Sequence, residues 1–107
     1  NVALAEADAC VMAAQLLLEN TFITIERLVP EASGVQQARI PRDTAFVMQL
    51  LVRAIDIVFA NVGGAALQES NPIQRIWRDV HAAKAHAAVN WNTQALAWGE
   101  LSLGGMN

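Results

Sequence analysis

The chain has no tyrosine, one cysteine and few charges, and each shortage excludes something. With Cys10 alone, no disulfide can form within the chain, and a reducing, cytoplasmic setting is expected. The thiol itself reads as a small apolar side chain on a helix, because no neighbouring group would activate it. Charged residues make up 16% of the chain, against roughly 25% in ordinary soluble domains. Hydrophobic residues reach 54%, more than a lone helical bundle of this size can cover. Identical subunits, or other domains of a longer chain, are therefore expected to bury part of the surface. The net charge is −3, and the basic stripe that nucleic acid demands is missing. No uncharged apolar run reaches the roughly 18 residues of a membrane span, since Asp8, Glu19, Arg53 and Asp56 interrupt the candidates. At 107 residues the chain is one domain, short for an enzyme with its own deep cleft, so catalysis by it alone is not expected.

Strand-type alternation is also missing, whereas helical spacing recurs four times. Leu4, Val11, Leu18 and Ile25 repeat every seven residues beside Ala7, Ala14, Thr21 and Leu28, which predicts a first helix from Val2 to Leu28, stopped by Pro30. Residues 31–40 read as a loop, with Pro41 opening a second helix. Phe46, Val47, Leu50, Leu51, Ala54, Ile57 and Val58 form its apolar face down to Asn61, and Gly63 and Gly64 end it. Asn71 before Pro72, with Gln74 following, marks the start of a third helix reaching Asn90. Asn90 then caps a fourth from Trp91 to Gly104 and Gly105. The expected fold is all-α, an antiparallel up-and-down four-helix bundle formed by residues 1–107 as one domain.

The third helix carries the candidate chemistry. At 100° per residue, Ile73, Ile76, Val80, Ala83 and Ala87 share a sector of about 80° that faces the core. Arg75, Asp79 and His86 gather on the opposite side within about 40° of one another, with Arg78 at their flank. The ordinary reading of Arg75, Arg78 and Asp79 is a solvated face with an Arg75–Asp79 ion pair, that of His86 a hydrogen-bonded structural histidine, and that of Gly63-Gly64 a helix cap. The functional reading gives the face to a flat anionic ligand, with the second glycine making room for backbone to approach it. A metal site is not expected, because His81 and His86 lie about 140° apart on a helix. Ser102 has no strand–turn–helix elbow to make it a nucleophile.

The stretch GGAALQESNPIQRIWRDVHAAKAHAAVN, from Gly63 to Asn90, closely resembles the C-terminal helical domain of the acyl-CoA dehydrogenase superfamily, in its branch of two-component flavin-dependent monooxygenases. That resemblance implies a bundle taken from a longer subunit with an N-terminal helical domain and a middle β-domain, assembled as a homotetramer around its flavins. It assigns Gly63, Gly64, Arg75, Arg78 and Asp79 to the cofactor, reduced FMN or FAD, and His86 to the reactive edge of the flavin. The branch follows from a departure. Many of the dehydrogenases carry a catalytic glutamate about eight residues after the aspartate of the Arg-Asp pair, whereas eight residues after Asp79 stands Ala87, and no Asp or Glu lies between Val80 and Glu100. An alanine cannot abstract a proton.

The function so implied is oxygen activation: a monooxygenase that receives reduced flavin from a separate reductase and hydroxylates an aromatic or sulfur-containing small molecule. The alternatives are an acyl-CoA dehydrogenase of the same superfamily and a non-catalytic helical assembly module.

Overall fold

The computed structural model describes residues 1–62 and 72–104. The described residues form four α-helices, α1 (Val2–Arg27), α2 (Gly34–Asn61), α3 (Pro72–Lys84) and α4 (Trp91–Gly104), with a 3-10 turn at Ala87–Val89. No strand occurs among the described residues, and none of the described helices is long and apolar enough to cross a membrane. The all-α expectation holds.

The first helix has the predicted limits within one residue. Asn1 caps it by accepting from the N–H groups of Ala3 and Leu4, and the chain turns extended at Leu28, two residues ahead of Pro30. The start of α2 corrects the sequence reading. The helix begins at Gly34 rather than Pro41, because Ser33 and Gln36 form a reciprocal capping box: Gln36 N–H donates to Ser33 Oγ, and Ser33 N–H donates to Gln36 Oε1. Seven added residues of helix outweigh the one hydrogen bond that Pro41, now inside the helix, cannot make. Ser33→Ala should cost about 1 kcal/mol, visible as a lower urea midpoint with unchanged cooperativity. An unchanged midpoint would show that packing, not the cap, starts α2.

Direction reverses after α1 and after α2, but α3 and α4 follow one another along α2. Phe59 stacks on Trp77, Phe46 meets Trp91 at 5.2 Å, the Arg42 guanidinium lies 4.7 Å from the Trp98 ring, and Gly34 faces Leu101. The 28 residues of α2, about 42 Å long, are thus matched by two short helices end to end. Every helix packs on α2, and α1 touches only α2 among the described elements. The result is a rod of 53 × 22 × 22 Å.

The core is built from small side chains. Ala7, Cys10 and Ala54 are buried together, with Leu50, Ile57 and Val58 packed against them, and Ala14 and Ala45 are buried as well. Thr21, the buried polar residue of α1, donates its hydroxyl to Leu17 O at 2.8 Å. On α1 the stripe that packs is thus the small one, Ala7, Cys10, Ala14 and Thr21, while Leu4, Val11 and Ile25 stay exposed. Small residues on both helices let the backbones approach closely, and the large apolar residues flank the contact instead of filling it. At the edge of this interface Arg53 pairs with Glu6. The hydrogen bond to Glu6, then its charge, holds the guanidinium pKa above its ordinary value.

Candidate functional site

Pro72 opens α3 as expected, where the N–H that proline lacks would have had no partner within the helix in any case. Arg75, Arg78 and Asp79 are all exposed on α3. None of the three is in an ion pair among the described residues, so the expected Arg75–Asp79 bond does not form and both guanidinium groups remain available. Gly63 and Gly64 lie outside the described residues.

His86 is placed differently from the sequence reading. A single helix to Asn90 was expected, but α3 ends at Lys84. The amides of Ala85 and His86 turn back to the carbonyls of Ala82 (3.3 Å) and Ala83 (3.1 Å), three residues away, which tightens the last turn and ends the α-helical ladder. Downstream, the Asn90 side-chain oxygen accepts from the N–H of Thr93 at 3.0 Å and caps α4. Because α3 ends at Lys84, His86 does not share a helix face with Arg75 and Asp79. It sits exposed in the bend between α3 and the 3-10 turn, with its backbone carbonyl accepting from Val89 N–H at 3.1 Å.

The structure instead brings together residues that the sequence reading left apart. Asp56 of α2 accepts at one carboxylate oxygen from Trp77 Nε1 (2.8 Å) and lies 2.6 Å from His81 Nε2. The carboxylate can only accept, so Nε2 carries the proton. The Trp77 and His81 rings are 4.4 Å apart, and Phe59 closes the stack at 5.0 Å from Trp77. Trp77 and His81, four apart, predictably share a face of α3; that Asp56 would meet them could not be read from spacing. The Trp98 indole nitrogen, on α4, is buried without a hydrogen-bond partner among the described residues.

In chemical terms the α3 segment offers the Arg75 and Arg78 guanidinium groups and the Asp79 carboxylate at its surface, with exposed Lys84 at its end. Beyond them comes an exposed imidazole at a helix break, placed to donate a hydrogen bond to a group outside the chain. Comparison with known proteins gives this set its context. A family model described as the acyl-CoA dehydrogenase C-terminal domain matches residues 1–91. The chain belongs to this family. The oxygenase component of an FADH(2)-dependent resorcinol hydroxylase from Rhizobium sp. (strain MTP-10005) is 35% identical over 63 residues, covering 59% of this chain and 15% of that protein. The HsaA oxygenase subunit of a flavin-dependent monooxygenase from Mycobacterium tuberculosis (strain CDC 1551 / Oshkosh) is 42% identical over 52 residues, 49% of this chain and 13% of that protein. A pigment production hydroxylase from Rhodococcus erythropolis is 50% identical over 36 residues, 34% of this chain and 9% of its own. The chain thus matches only a small part of each relative's length. No solved structure matches it at the same significance. By name, these relatives are hydroxylases and monooxygenases.

Proposed function

We propose that this chain is the C-terminal helical domain of the oxygenase component of a two-component flavin-dependent monooxygenase. The longer subunit would also hold an N-terminal helical and a middle β-domain. It would assemble as a homotetramer in the cytoplasm, receive reduced FMN or FAD from a separate reductase, and hydroxylate a small molecule. The observation that carries this reading is the pairing of oxygenase relatives at 35% and 42% identity with alanine at position 87, where a dehydrogenase of this superfamily would hold its base. The resorcinol hydroxylase favours an aromatic substrate over a sulfur-containing one. The extensive exposed apolar surface, including Leu4, Met12, Leu16 and Phe22 on α1 and Leu96 and Leu103 on α4, supports burial against other subunits or domains.

The residues present fit a flavin. Arg75 and Arg78 are exposed, one helical turn apart and without ion pairs among the described residues, and such guanidinium groups suit a phosphate or the polar edge of a planar ring. Asp79 beside them can orient an arginine once a ligand is seated. When bound, reduced flavin supplies the electrons that activate oxygen. His86 holds a proton on its imidazole and donates it as a hydrogen bond to developing negative charge, a preorganised electrostatic role. Gly63 and Gly64 complete the cofactor set in this reading.

The test is the longer protein supplied with reduced flavin and phenolic substrates in air: hydroxylated product in step with flavin oxidised supports the reading. Oxidation of an acyl-CoA with reduction of the flavin would assign it to the dehydrogenases. The 107-residue chain alone should bind FMN or FAD weakly, since most of the site would lie in other domains and subunits. Submicromolar binding in a fluorescence titration would show that the site has been misplaced.

A further inference from the structure

We infer that Asp56 is a positioning residue for His86, acting through His81; the inference rests on the flavin-site reading above for its consequence, though not for its geometry. None of the side chains of α3 is fully buried, so burial alone does not fix how the helix is rotated on α2. Its side chains Trp77 and His81 are tied directionally to α2 at Asp56. One carboxylate oxygen takes Trp77 Nε1 at 2.8 Å and His81 Nε2 at 2.6 Å, and the second contact is as short as charge-assisted hydrogen bonds become. Phe59 backs the Trp77 ring, so donor and acceptor are held from both sides.

His81 stands one helical turn before the end of α3 at Lys84. The bend that carries His86 is built on the residues just after His81: the amides of Ala85 and His86 donate to the carbonyls of Ala82 and Ala83. On the far side the bend is tied to α4, through the Asn90 cap and the Gln94 side-chain amide, which donates to Ala88 O at 3.3 Å, and Trp91 rests on Phe46. His86 therefore lies between two side-chain anchors on α2, Phe46 downstream and Asp56 upstream, beside the 3-10 turn that itself packs on α2. Loss of the upstream anchor frees α3 to rotate and carries the imidazole with it, and displacement by about 1 Å can cost on the order of 100-fold in a positioned reaction.

Asp56→Asn keeps an acceptor for Trp77 but removes the charge that shortens the His81 contact. In the 107-residue chain the substitution should leave helical circular dichroism unchanged and shift the His86 ring and the Ala85–Val89 amide signals in NMR spectra. Exchange of the His86 and Val89 amides should quicken on the order of 10-fold, the worth of one charge-assisted hydrogen bond, while α1 signals stay in place. His81→Gln should displace the same signals, and the double variant should add nothing further, as expected for one pathway. If Asp56→Asn unfolds the chain, His81→Gln, which leaves Asp56 bonded to Trp77, carries the same expectation. In the longer protein, Asp56→Asn should lower product per flavin oxidised by about 10-fold or more without weakening flavin binding. Shifts confined to Trp77 and the neighbours of Asp56, with the His86 bend unmoved, would overturn the inference. If the bend moves while His86→Ala leaves turnover unchanged, the positioning stands and the flavin-site reading falls.

Discussion

Replacing His86 by alanine in the longer protein proposed above is expected to lower hydroxylated product per flavin by a factor on the order of 100 to 1,000, with the missing electrons recovered as hydrogen peroxide. The side chain is exposed in the bend after α3, and only its backbone makes hydrogen bonds to the described residues. Truncation should therefore change stability by no more than about 0.5 kcal/mol, as for other surface positions. The large effect and the small one separate the two roles open to this histidine. A group that merely completes the fold would lower the unfolding midpoint and leave the division between product and peroxide unchanged. A group that would donate a hydrogen bond to negative charge developing in the flavin site would do the reverse. The checks are product and peroxide yields measured together, beside stopped-flow absorbance of the flavin and a thermal melt. An unchanged product-to-peroxide ratio would sink the catalytic assignment, and wholesale unfolding would return His86 to a structural role.

Enlarging the small residues between α1 and α2 is expected to have the largest effect on stability. Ala54 is 6% exposed and packs with Ala7 at 4% and Cys10 at 8%, so the two backbones meet across side chains of one or two heavy atoms. Ala54→Leu must either drive a branched side chain into a packed contact or push α1 away. Overpacking of this kind costs about 1–3 kcal/mol, which in a domain of this size lowers the melting temperature by roughly 4–8 °C per kcal/mol. Leu16→Ala is the control. That leucine is 62% exposed on α1, and its truncation should move the melting temperature of the 107-residue chain very little. If Ala54→Leu melts with the parent protein, the α1–α2 contact has slack and its small residues are not what sets the helix spacing.

Much of the fold was legible because local signals agreed with the tertiary outcome. Pro30 lies just past the end of α1, Pro72 stands first in α3, and Asn90 caps α4 through Thr93. Two features were misjudged. Pro41 was read as a helix start because proline favours that position, yet the capping box of Ser33 and Gln36 was already present eight residues upstream and began α2 there. Asn90 signals where α4 begins, but that cap does not dictate where the preceding helix ends; the stop at Lys84, which takes His86 off the face of Arg75 and Asp79, has no such local signal.

The sequence by itself determined the helical class, the helix boundaries other than the start of α2 and the end of α3, and the membership signalled by the segment from Gly63 to Asn90, because caps, prolines and 3.6-residue periodicity act over a few neighbouring residues. It also determined the absence of a glutamate at position 87, on which the choice of oxygenase over dehydrogenase depends. Only the tertiary structure decided that α3 and α4 lie end to end on α2, that the small stripe of α1 rather than its leucines makes the contact, and that Asp56 holds Trp77 and His81. The physical reason is range: Asp56 and His81 are 25 residues apart in sequence, and no periodicity within one helix encodes which residue of another will meet it once both are packed.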